Sequence, residues 1–243
     1  MKKMLKRFFA IALACAGFLA APSAAQDNYN QAPEIFQVST LHALNEGAYD
    51  GDTTFGELKK RGDFGLGTLN GMDGEMLGFG GDFYQITSDG AVHQVPDAAQ
   101  TPFAAVTFFR PKMIADVRGP LDYAGLKAAL ETLMPRKDRI YAIRADAILR
   151  KIKVRSVSRQ TPPYPTLQDV VKGQAVRELE NVQGTLVGFW FPEYLGNLNE
   201  AGFHLHFLDS QRKAGGHVLE MLLDAASVRV QGSRGYSLRL PEK

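Results

Sequence analysis

Between residues 64 and 95 the chain is cut into short runs by Asp73-Gly74, Gly80-Gly81 and Asp89-Gly90. Such pairs supply the positive φ angles that tight hairpin turns demand, so this stretch can hardly be anything but antiparallel strands. Residues 75–79, 83–87 and 91–95 read as a meander, and 103–109, rich in aromatic and β-branched residues, as a further strand. More strands are expected over 140–143, 148–157, 184–192, 202–208, 217–223, 227–230 and 236–240. Helices are fewer. Thr40 caps one over 40–46, and Thr54 with Glu57 has the capping-box spacing for another over 55–61, stopped by Gly62. Apolar spacing predicts helices over 121–133 and 166–179. The fold class expected is α+β and β-rich: two sheet-based halves with flanking helices. The Pro-rich connector over 161–165 is the natural boundary, giving an N-terminal subdomain over 35–165 and a C-terminal one over 166–243.

The first 25 residues are of another kind. Lys2, Lys3, Lys6 and Arg7 precede an uncharged apolar run over 8–21, and Pro22-Ser23-Ala24-Ala25 offers small residues where a signal peptidase cuts. Residues 1–25 are therefore expected to be a secretory signal peptide, followed by a loose polar segment over 26–34. The run falls short of the roughly 20 apolar residues of a spanning helix. Leu13 stands one position too late to make Cys15 a lipoprotein acylation site. Cleavage would remove four positive side chains and no acidic ones, taking the formal net charge from +2 to −2. The basic balance thus belongs to the leader, and no concentrated basic patch points to nucleic acid. Cys15, the one cysteine, would leave too. The mature chain would then be exported, periplasmic or extracellular, free of the membrane, and without disulfides or thiolates. Any metal would have to be held by nitrogen and oxygen.

Of the five histidines, three crowd together. His204 and His206 alternate with Phe203, Leu205 and Phe207, so on a strand both imidazoles share one face while the apolar residues take the other. Residues 209–216 include Gly215-Gly216 and read as a turn, after which His217 opens the next strand. Cross-strand neighbours lie roughly 4.5–5.5 Å apart at Cβ, close enough for three imidazoles to converge on a C-terminal hairpin. Three His ligands with an open position form a known catalytic zinc arrangement, although imidazole also suits copper, iron and nickel. His42 and His93 have no such company and read as surface residues.

At this point the chain resembles the alpha-acetolactate decarboxylase family, from about Phe36 to Leu240. The resemblance is carried by Phe36-Gln37-Val38-Ser39-Thr40-Leu41, Gly62-Asp63-Phe64-Gly65-Leu66-Gly67-Thr68, Asp73-Gly74-Glu75-Met76, Thr101-Pro102-Phe103-Ala104 and Tyr141-Ala142-Ile143-Arg144. Val154-Arg155-Ser156-Val157 and the His204–His217 block complete it. It implies a homodimeric enzyme with Zn2+ and no organic cofactor that converts 2-acetolactate, a 2-hydroxy-3-keto acid, to acetoin and carbon dioxide. His204, His206 and His217 match the family's metal ligands, Glu75 its acidic residue beside the substrate, and Arg155 its active-site arginine. Thr68 matches a position lining the pocket. The family also uses a carboxylate near its C-terminus. Glu242 is the sole tail candidate here, and it is not carried over.

The chemistry asks for such groups. Loss of carbon dioxide leaves charge that a metal chelating the hydroxyl and ketone oxygens stabilises as an enediolate. Glu75, with a raised pKa, would then deliver the proton. The planar fork of Arg155 would pair with a carboxylate. Periodicity by itself would place Arg155 in solvent beside Lys151 and Lys153, and would leave Glu75 exposed after its turn. A zinc hydrolase or a non-catalytic metal-binding protein are the rival readings, although no HExxH motif is present.

Overall fold

The computed structural model of the chain describes residues 34–241. The expected signal peptide, residues 26–33 and Glu242 lie outside the described residues. In chain order the elements are β1 (Glu34–Val38), α1 (Leu41–Asn45), β2 (Thr53–Thr54), α2 (Phe55–Lys59), β3 (Phe64–Gly67), β4 (Glu75–Phe79), β5 (Asp82–Ile86), β6 (Val92–Gln94), β7 (Gln100–Thr101), β8 (Ala104–Thr107) and β9 (Met113–Asp122). There follow α3 (Tyr123–Thr132), β10 (Ile140–Ser156), α4 (Leu167–Lys172), β11 (Ala175–Phe191), β12 (Gly202–Asp209), β13 (Gly215–Ser233) and β14 (Gly235–Arg239). The fold is β-rich with flanking helices, as the turn chemistry demands.

One sheet has seven strands in the order β14-β1-β8-β3-β4-β5-β6, and β4-β5-β6 is the meander set by the glycine turns. The second has the order β10-β11-β12-β13-β9, and β10 also pairs with β13. Strands β10 to β13 therefore close on themselves, with β9 on the outer edge of β13. Strand alternation sorts the side chains of this sheet into two cores. Leu186, Leu205 and Phe207 join Leu126 and Leu130 of α3 on one side. Phe189, Phe191 and Leu208 face the other way and pack with Leu66, Leu77 and Ile35 of the seven-stranded sheet. Full burial of each large side chain contributes about 1.5–3 kcal/mol, so this interface is what holds the sheets together.

The sequence expectations fail at particular places. Residues 113–122 form a strand that the sequence does not announce, so the helix expected over 121–133 starts only at Tyr123, where Asp122 accepts a hydrogen bond from the Gly125 N–H. The helix expected over 166–179 stops at Lys172, because Gly173 caps it and Ala175 already pairs with Ser156. The strands expected over 140–143 and 148–157 are one strand of 17 residues. Those over 217–223 and 227–230 are one of 19. Bulges between Ile148 and Lys151 let β10 continue where its alternation slips. The sheets are not divided at the connector over 161–165: β10, which precedes it, pairs with β11 and β13, which follow it.

Candidate metal and active site

The hairpin that carries the histidines is built as its sequence indicates. Asp209 at the end of β12 accepts hydrogen bonds from the N–H groups of Lys213 and Ala214, which folds the turn. The chain then re-enters so that His217 lies directly opposite His206, and Arg155 of β10 lies opposite His217 on its other side. The three imidazole centroids are 5.0, 4.9 and 5.4 Å apart. One ligand nitrogen from each comes within 4.8 Å of the others. Leu205 and Phe207 point away into the α3 core.

The seven-stranded sheet supplies the acid. Glu75 opens β4, and its side chain is only 8% exposed. One carboxylate oxygen lies 3.3 Å from the Arg155 guanidinium and the other 3.3 Å from His206 Nε2. Arg155 is itself only 16% exposed, so the solvated position that its neighbours Lys151 and Lys153 imply is not the one it takes. The next residue along β4 contributes its backbone: the Met76 carbonyl lies 2.8 Å from His206 Nδ1. A carbonyl can only accept, so Nδ1 carries the proton and the Nε2 lone pair faces Glu75 and, at 3.2 Å, His204 Nε2.

Burial governs the protonation of the cluster. It raises the Glu75 carboxyl above its ordinary value, against the pull of Arg155. It pushes His206 down to about 3, and His204 and His217 well below the usual imidazole range, with the charge of Arg155 adding to the effect. The imidazoles are thus neutral and their lone pairs available, which is the form in which histidine binds a metal. Among the described residues, lone pairs of His204, His206 and Glu75 face one another across a few ångströms with no proton between the two imidazole nitrogens. A divalent cation held by these nitrogens relieves that opposition. Three nitrogens with an adjacent carboxylate fit zinc, and also copper, iron or nickel.

Thr68 stands behind this wall. Its hydroxyl donates to the Gly74 carbonyl at 2.7 Å and so braces the turn that delivers Glu75. Gly74 has φ +80°, and a Cβ there would lie 2.3 Å from the Ile86 carbonyl oxygen. Gly74→Ala is expected to lower stability by about 1–3 kcal/mol, the strain of a non-glycine residue held in this region. Urea unfolding measures it, and a wild-type midpoint would show that the turn relaxes freely. One contributor gave no signal in the sequence: the Met76 carbonyl is a backbone group.

A buried acid and guanidinium set against three neutral imidazoles, on a β-rich scaffold, define a protein with a candidate metal centre and the groups for acid–base chemistry beside it. The sequence model of the family described as Alpha-acetolactate decarboxylase matches residues 35–243. The chain is 47% identical to an alpha-acetolactate decarboxylase of Methylococcus capsulatus, over 86% of this chain and 80% of that one. With the one from Bacillus licheniformis it shares 38% identity, over 86% of this chain and 82% of that one. The crystal structure of the alpha-acetolactate decarboxylase of Bacillus subtilis strain 168 superposes with a TM-score of 0.84 at 38% identity, covering 86% of this chain and 90% of that one. The chain belongs to the alpha-acetolactate decarboxylase family and is an enzyme of the carboxy-lyase class.

Proposed function

We propose that this chain decarboxylates 2-acetolactate to acetoin and carbon dioxide with zinc as its resident metal. The observation that carries the reading is Glu75, held at 3.3 Å from both Arg155 and His206 in a buried setting. A metal held by His204, His206 and His217 would supply Lewis-acid stabilisation of the charge that gathers on the substrate's hydroxyl and ketone oxygens. The rest falls to the chain's own side chains. Arg155 offers its fork to the substrate carboxylate and orients it. The bond between that carboxylate and the α-carbon breaks, carbon dioxide leaves, and the electron pair stays behind, spread into the neighbouring ketone. Glu75, whose carboxyl burial shifts toward the protonated form, gives its proton to the former α-carbon and recovers one from solvent.

The test is acetoin formation from racemic 2-acetolactate by protein produced from the full chain, with and without a chelator and with zinc restored. The His204→Ala protein supplies the spontaneous background. Acetoin well above that background, lost on chelation and recovered with zinc, is expected. Wild-type protein that binds metal yet makes no excess acetoin would hand the site to a hydrolase or a binding role. The same reading includes export, from the leader over residues 1–25, and a homodimer, from the family resemblance. Cell fractionation and light scattering test these two.

A further inference from the structure

We infer that Ser156 is a positioning residue of this site, clamping the Glu75-bearing sheet to the Arg155-bearing strand through one shared acceptor, the Ile86 carbonyl. The inference rests on the function proposed above. Glu75 and Arg155 come from different sheets and meet at 3.3 Å, long for a charge-assisted hydrogen bond. Their separation is therefore set less by their own attraction than by where the two backbones are held. Ser156 follows Arg155 directly, closes β10, and is 4% exposed. Its hydroxyl donates to the Ile86 carbonyl at 2.7 Å. Ile86 is the cross-strand partner of Glu75. The same carbonyl oxygen is the atom that a Cβ on Gly74 would strike, so Gly74, Glu75, Ile86 and Ser156 form one tight joint. Through it the acid on one sheet and the guanidinium on the other are each a single residue from a common hydrogen bond.

Other links join the same two sheets. The bond from His206 Nδ1 to the Met76 carbonyl at 2.8 Å lies as near the acid, but it ties β4 to β12 and not to the strand that carries Arg155. Arg159 reaches Asp73 at 3.6 Å on the far side of the Gly74 turn. The Arg177 guanidinium donates to the Ser88 carbonyl at 2.9 Å, and the hydroxyls of Ser158 and Ser88 meet at 3.0 Å on the surface. These hold the hairpin tip after Ile86 and make no contact with the strand pair that carries Glu75.

The test compares Ser156→Ala, Ser156→Cys and Ser156→Thr with Ser158→Ala as control, all as metal-loaded full-chain proteins. A displacement of about 1 Å at a catalytic group costs about 10²-fold in rate. Ser156→Ala is expected to lose kcat on that scale, with KM changed by less than about twofold, because substrate binding is not what the hydroxyl serves. Metal content should stay at the wild-type level, Ser156→Thr should recover most of the rate, and Ser158→Ala should lose none. A crystal structure of Ser156→Ala should show Glu75 and Arg155 farther apart than in the wild type. Wild-type kcat in the Ala variant, or an unchanged separation, overturns the inference, as does a loss of rate that follows loss of metal. If the Ala variant does not fold, Ser156→Cys replaces it, since it keeps the volume but donates weakly. A wild-type protein that makes no acetoin defeats the proposed function alone, and the Glu75–Arg155 separation still decides the role of Ser156.

Discussion

Glu75→Gln is expected to lower kcat by about 10²–10⁴-fold, the range for removal of a positioned general acid, while the protein keeps its metal. The substitution preserves shape and burial and removes only the transferable proton. Burial already favours the neutral form of Glu75, so an amide in the same place introduces no new desolvation cost. The three imidazoles are untouched, and the Met76 carbonyl still orients His206. Binding and turnover should therefore separate: metal content and KM near wild type, kcat collapsed. Steady-state kinetics beside elemental analysis of the same samples gives the answer. Turnover within about tenfold of wild type would remove Glu75 from the proton-transfer step.

His206→Ala should do something different: abolish turnover to the spontaneous background and release the metal. His206 is the most buried of the three, 1% exposed, and the one whose orientation is fixed by a hydrogen bond. Removing it takes away a ligand, opens a cavity against β4 and leaves the Met76 carbonyl without its donor. An unsatisfied buried polar group costs about 1–3 kcal/mol, before the cavity is counted. A ligand that binds only the folded state raises its stability, so a chelator should lower the thermal midpoint of the wild type. The variant, with no metal to lose, should show a low midpoint that chelator leaves unchanged. His42→Ala, on the surface of α1, should match the wild type in every respect. Metal retained by His206→Ala at full stoichiometry would show that the centre is not built on this imidazole.

What could be read in the sequence divides along physical lines. The His204–His217 hairpin was legible because alternation and a glycine turn are local, and local geometry alone brings the imidazoles together. The capping box at Thr54 and Glu57 forms as its spacing predicts, for the same reason. The Glu75–Arg155 pair was legible only through family resemblance, since it joins two sheets and no periodicity spans that distance. Arg155 follows Lys151 and Lys153 in alternation, yet they reach solvent while it is roofed by Glu75. Strand β9 is not legible in the sequence because Gly119-Pro120, a pair common in turns, interrupts it. Proline is tolerated on an edge strand, which is where β9 lies. Beyond α4, Val176 and Leu179 continue a helical spacing that the chain does not follow. Pairing with β10 overrides it, reinforced by the ion pair between Lys151 and Glu178.

The two-sheet origin of the site makes it a gauge of assembly. A chain in which only the seven-stranded sheet has formed holds an acid with nothing to serve, and one with only the other sheet holds imidazoles open to water. Neither half has partial competence to offer. Activity regained during refolding thus reports the moment the two sheets dock, and it should lag any signal that registers strand formation within either one.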